Sequence, residues 1–263
     1  MRTALAVIGI AADPSVNLQT IENAMTDAAS AGARLIVLPE AALTGLVNND
    51  DPKHDLPLGQ EIPGPATASL ATHARRCNLY AAIGVLERDG GVLYDSAVLL
   101  CPSAEIGLHY RRIQPQWHSR RADPSIYRQG GSVGAVDTDI GRIAMIVCGD
   151  LFDDEVIARV REAEPNLLLI PFARCFDDGS YDQQRWDQDE QPEYLRRAAT
   201  AGCHVLMVNY LSGRESGAYF GGALAVSPQG EIIARLPLGV ADTLFVDLPG
   251  IPGGRSSTGP LPG

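Results

Sequence analysis

The sequence predicts an α/β fold in which two sheets stack face to face and helices cover their outer faces. Three observations point to it. About a dozen strand-like segments accompany only about four helix-like ones, too many strands for one helix-covered parallel sheet. Two βαβ-like units recur, and each delivers a reactive side chain on a turn at the end of one of its strands. No linker interrupts the pattern, so residues 1–248 read as one domain, followed by a Pro/Gly/Ser-rich tail at 249–263.

The first strand, about 3–10, runs straight into Asp13-Pro14-Ser15, a helix cap, so it reads as a core strand rather than a signal peptide. Leu18, Ile21, Met25 and Ala28 then recur at helical spacing as far as Gly32. Strand 34–38 completes the first unit and ends in Pro39-Glu40. Segments 80–86 and 94–100 flank Asp89-Gly90-Gly91 and form a hairpin. The second unit is strand 141–147, a helix over about 153–163, and strand 167–170. A helix at about 192–201 leads into the apolar run 205–208, which ends at Asn209. Strands 223–227 and 231–235 are joined at Ser227-Pro228-Gln229-Gly230, and strand 243–247 closes the series.

Cys148 sits where the second unit turns from strand to helix, at the carboxyl edge of its sheet. Such a turn aims backbone N–H groups at whatever lies beside the sulfur. Glu40 ends a strand in the same way, so one edge offers a thiol and another a carboxylate, a nucleophile and its base. A thiol titrates near ~8.5, so something must take its proton. The alternative reading of Cys148 is a buried core thiol.

The net charge of −11 argues against nucleic acid or an anionic membrane surface as a partner. No apolar run approaches the roughly 20 residues needed to span a bilayer. The five cysteines (77, 101, 148, 175, 203) are odd in number and lack a Cys-x-x-Cys pair, which argues against a disulfide framework or a zinc site and for a reducing, cytoplasmic setting. There is no phosphate-cradling glycine loop and no metal-ligand cluster, so neither cofactor nor metal is expected.

Leu-Pro-Glu-Ala-Ala-Leu-Thr-Gly (38–45), His-Tyr-Arg-Arg-Ile-Gln-Pro (109–115) and Ile-Val-Cys-Gly-Asp-Leu-Phe-Asp-Asp-Glu (146–155) occur in order and at suitable spacings. Together they resemble the nitrilase superfamily of carbon–nitrogen hydrolases, over about residues 3–248. The resemblance implies a four-layer α-β-β-α sandwich, a small-molecule substrate and a homodimer or higher homo-oligomer. It also implies a catalytic trio of Glu, Lys and Cys. Glu40 and Cys148 match two of these, but Arg112 stands where the lysine belongs, and the chain's only lysine, Lys53, lies outside the motifs.

By the same resemblance, Asp123 lines up with a second glutamate that orients the lysine. The shorter acid opposite a longer cation looks compensatory; otherwise Asp123-Pro124 starts a turn. Gly149 stands where an aromatic residue is common, which implies extra room beside the nucleophile, and its N–H is a candidate oxyanion donor. Asn209 matches a position near the site. Arg174, just past strand 167–170, either binds a substrate carboxylate or pairs with surface acids, and Cys175 lies at the same edge. Loop 177–191, with Tyr181 and Trp186, either lids the pocket or is solvated. Glu155 and Asp150 read as structural. A guanidinium beside Glu40 is expected to lower the pKa of that carboxyl.

The expected activity is hydrolysis of a non-peptide carbon–nitrogen bond, of amide or carbamoyl type, through a Cys148 thioester. The alternative is a nitrilase-like pseudoenzyme that binds a small molecule or a partner protein without turnover. A third reading, a Cys–His hydrolase, requires His109, His118 or His204 near Cys148.

Overall fold

Successive side chains of the first strand point to opposite faces, and both faces are buried. Leu5 and Val7 pack toward the second sheet, whereas Ala4 and Ala6 pack under helices. Strands buried on both faces read as continuous apolar runs, and this is why they stand out in the sequence. The computed structural model describes residues 1–212 and 218–248; the tail expected from residue 249 lies outside them.

Two six-stranded mixed sheets face each other. The first contains β1 (Arg2–Val7), β2 (Leu35–Val37), β3 (Tyr80–Asp89), β4 (Val92–Leu100), β5 (Ile106–Arg111) and β12 (Asp242–Asp247), in the order β12-β1-β2-β3-β4-β5. The second contains β6 (Ala135–Thr138), β7 (Gly141–Met145), β8 (Leu167–Phe172), β9 (His204–Asn209), β10 (Ala223–Val226) and β11 (Ile232–Leu236), in the order β11-β10-β9-β8-β7-β6. Each sheet has three adjacent parallel strands at its centre, β1-β2-β3 and β7-β8-β9, with antiparallel strands outside them.

Helices α1 (Pro14–Ser30) and α3 (Pro65–Cys77) cover the first sheet, where Ile21, Met25, Leu70 and Ala74 meet Ile36, Leu38 and Ile83. Helices α4 (Asp154–Glu162) and α6 (Gln191–Ala201) cover the second, through Val156, Val160 and Ala198. This is the four-layer α-β-β-α sandwich expected. Helix α1 begins as the sequence predicts: Asp13 accepts hydrogen bonds from the Ser15 backbone N–H and hydroxyl, both at 2.8 Å, with Pro14 in the first turn.

Sequence patterning passes over α2 (Pro52–Leu58), α3 and β6. Helix α3 has only Leu70 as a large apolar residue among alanines, threonines and arginines, so its periodicity is faint.

Candidate active site

Strand β7 ends at Met145, and a 3₁₀ turn over Cys148–Phe152 carries the nucleophile candidate into α4. Cys148 has φ +48°, in the left-handed region that non-glycine residues rarely occupy. The turn is held by Asp150, fully buried, which accepts from the N–H groups of Val147, Ile113 and Gln114 and from the Tyr110 hydroxyl at 2.7 Å. One carboxylate thus ties the Cys148 turn to the segment that follows β5. Burial raises the Asp150 pKa, and these donors act against that rise.

Glu40 arrives at the end of β2 on a similar turn, with Ala41 at φ +45°. Gly84 of β3 lies directly beneath it. A Cβ at position 84 would sit 2.5 Å from the Glu40 Cα, and the Gly84 N–H and C=O bond to Pro39 O (3.2 Å) and Ala42 N (2.9 Å). Glycine is required there by close approach of two backbones.

Arg112 follows β5 and turns inward, 3% exposed, while Arg111 turns outward to Glu87 and Asp89. The Arg112 Nη1 donates to Glu40 Oε1 at 3.1 Å and to Asp95 Oδ2 at 3.0 Å, all three side chains being buried. Asp95, on β4, is the site residue that sequence reading missed. Its signal was there to find: a lone acid within the strand Val92–Leu100, which otherwise buries its side chains.

Two expectations are corrected by this arrangement. Asp123 does not reach the site. It is exposed, begins a turn, and accepts from the Ser125 N–H (2.8 Å) and hydroxyl (2.6 Å); Asp95 takes the place expected of it. The Glu40 pKa is raised well above its usual value, not lowered. Burial is the main cause, and the Cys148 and Asp95 charges add to it, together outweighing the Arg112 cation. For Arg112 burial opposes the charge, yet Cys148, Glu40 and Asp95 outweigh it and hold the guanidinium protonated.

The room expected beside Gly149 exists and is occupied. A Cβ on Gly149 would lie 2.8 Å from the Arg112 Nη2. Arg112, Cys148 and Gly149 line one wall of a cavity of about 530 Å³; Arg174, Glu190 and Tyr194 line another. Cys148 Sγ lies 3.6 Å from the Ala173 carbonyl oxygen, and Glu40 Oε2 is buried with no hydrogen-bond partner.

Arg174 is held by Glu190 (Nε–Oε2 2.7 Å, Nη2–Oε1 2.5 Å), and its Nη1 donates to the Cys175 carbonyl. Asn209, fully buried, supports it: Oδ1 accepts from the Arg174 N–H at 2.7 Å, and Nδ2 donates to the Arg174 and Gly221 carbonyls. Asn209 therefore shapes the wall through the backbone. Segment 177–191 is neither a free lid nor a solvated loop. Asp182 caps a one-turn helix α5 (Gln183–Arg185), which continues into a π turn over Trp186–Glu190. Trp186, 3% exposed, packs on Tyr194 and Phe220 and so fixes Asp189 and Glu190 at the cavity mouth.

The histidines lie elsewhere. His109 bonds Glu87, His118 bonds Gln129 and the Ser119 carbonyl, and His204 starts β9 at the sheet edge opposite Cys148. A Cys–His pair has no geometric support. Among the described residues no His/Cys/Asp/Glu cluster could hold a metal ion, and no helix is long and apolar enough to cross a membrane.

The sequence profile of the carbon-nitrogen hydrolase family matches residues 2–250. A nitrilase of Pyrococcus abyssi is 31% identical over 170 residues, covering 61% of this chain and 62% of that protein. Nitrilase 2 of Arabidopsis thaliana is 27% identical over 215 residues, 74% of this chain and 58% of its own length. The chain thus spans less than two thirds of either nitrilase. The omega-amidase of Homo sapiens is 24% identical over 248 residues, covering 89% and 83%. Among solved structures the chain is similar to an amidase from Nesterenkonia AN1 (TM-score 0.77, 21% identity, 95% of this chain and 90% of that one). It is similar also to a carbon-nitrogen hydrolase from Helicobacter pylori G27 (TM-score 0.79, 18% identity, 93% and 87%). At these identities the likeness is one of fold.

Proposed function

Because the chain belongs to the carbon–nitrogen hydrolase family, we propose that it hydrolyses a non-peptide carbon–nitrogen bond of a small molecule, of amide or carbamoyl type, through a thioester on Cys148. The observation that carries the reading is the meeting of three strand ends: Arg112 bonds the buried Glu40 and lines the same cavity as Cys148, and burial together with the Cys148 and Asp95 charges raises the Glu40 pKa. Glu40 takes the Cys148 proton as sulfur attacks the carbonyl carbon, then returns it to the departing amine as the carbon–nitrogen bond breaks. Water, deprotonated by the same carboxylate, then splits the thioester to a carboxylic acid and the free thiol. The developing oxyanion is held by the Arg112 guanidinium and the Gly149 N–H.

Both arginines of the cavity are already paired, Arg112 with Glu40 and Asp95 and Arg174 with Glu190, and Asp189 and Glu193 add negative charge at the mouth. This favours an uncharged amide over one bearing a carboxylate. The second reading, binding without turnover, draws on the same buried ion pairs, which would serve a silent site equally well. Ammonia release from a panel of primary amides separates the two. The hydrolase reading expects release that falls at least ~10³-fold in Cys148→Ala and in Glu40→Gln. Full turnover by Cys148→Ala would refute the nucleophile.

A further inference from the structure

An arginine cannot simply replace a lysine among buried acids. Its guanidinium is planar and wider, and it needs both more room and a second partner to fix its plane. Two features of this chain supply them. Asp95 and Glu40 share Nη1, which pins the inner edge of the plane at 3.0 and 3.1 Å. Gly149 leaves the space that the outer edge fills, since any Cβ there would stand 2.8 Å from Nη2 and 3.7 Å from Cζ. A contact with the tip of a flexible side chain is ordinarily relieved by a small movement. Here the tip is 3% exposed and anchored by two ion pairs, so moving it breaks them. The φ of Gly149 is not positive, so the backbone itself accepts alanine, and the glycine answers to space alone.

Nη2 makes no hydrogen bond among the described residues, although Arg112 lines the cavity beside Cys148. Resting on the amide-hydrolysis reading above, we propose that Asp95 and Gly149 are the positioning residues that let an arginine serve this site. Asp95 holds Nη1 inward beside Glu40, and Gly149 opens the slot through which Nη2 reaches the oxyanion next to Cys148. Asp95 has a second effect: its carboxylate offsets the guanidinium charge felt by Glu40.

The test is a cycle of Gly149→Ala and Arg112→Lys, with two readouts. The first is kcat and KM for ammonia release from a primary amide. The second is the pH profile of Cys148 alkylation by iodoacetamide, which needs no turnover. In the arginine chain Gly149→Ala should lower kcat by ~10²–10³-fold, the loss of one oxyanion donor, with KM nearly unchanged. It should also move the alkylation midpoint upward, because the cation has been pushed from the thiolate. In the Arg112→Lys chain the compact ammonium vacates the slot, and the same alanine should change kcat by less than ~3-fold and leave the midpoint in place. Equal effects in both backgrounds would overturn the proposal. Asp95→Asn should shift the acidic limb of the kcat/KM profile to lower pH, whereas a merely structural Asp95 would lower the profile without moving it. If no amide is turned over by any variant, the hydrolase reading fails. The alkylation cycle still decides whether Gly149 holds Arg112 beside Cys148.

Discussion

A carboxyl group 2% exposed and one guanidinium away from a second carboxylate is costly to ionise, and Glu40 shows what a base next to a thiol requires. Its folded pKa lies above the usual 4.5, so its contribution to stability is fully present below 4.5 and is lost as pH rises through the folded value. Glu40→Gln removes that titration. Its Tm should match the parent near pH 4.5 and exceed it by a growing margin until the pH passes the folded value of Glu40, a gain in stability at the expense of activity. A parent more stable than the variant at pH 8 in scanning calorimetry would contradict this. At the residue scale Glu40, Arg112 and Cys148 were legible because each occupies a motif position at a strand end. Asp95 was not. Its distance from Arg112 is created by the β4–β5 pairing, Ser96 opposite Arg111, and that register is invisible to local pattern. The family resemblance points to Asp123 by its place before Tyr127, whereas its exposed carboxylate accepts from the nearer Ser125.

At the scale of elements, β3, β4 and β5 are fastened together by one side chain. Glu87 of β3, 1% exposed, accepts from Ser96 of β4 at 2.6 Å and bonds His109 (2.8 Å) and Arg111 of β5. Burial alone would raise the Glu87 pKa, but hydrogen bonds from His109, Arg111 and Ser96 outweigh it and lower it to about 2. A lowered carboxyl pKa gives stability that is present above the usual 4.5 and lost as pH falls toward about 2. Glu87→Gln should therefore lower Tm at pH 7, by about 2–4 °C for each kcal/mol removed, with the difference shrinking below pH 4.5. A pH-independent difference would mean that shape rather than charge holds these strands. The clamp matters for the site because β4 and β5 deliver Asp95 and Arg112. The βαβ units and the hairpin at Gly90 were readable from period and turn chemistry. Helix α3 and the short strand β6 were not, since their burial comes from neighbours rather than from a strong pattern of their own.

At the scale of the molecule, the two sheets bring together strand ends that the sequence keeps far apart: position 40 on the first sheet, 112 beyond its last strand, 148 on the second sheet. The stacked sandwich was deducible from the excess of strands over helices. The far wall of the cavity was legible only in part: Arg174 past β8 and the helix that carries Tyr194 were readable, whereas Glu190 comes from a π turn whose residues read as a polar loop. The proposed hydrolysis requires a covalent intermediate at one sulfur among five cysteines. Intact-mass analysis of acid-quenched samples, taken during turnover of a primary amide, tests it directly. The prediction is a chain heavier by one acyl group, mapped to Cys148 and absent in Cys148→Ala. Ammonia release with Cys148 unmodified at every time sampled, or an acyl group found on Cys175 instead, would contradict it.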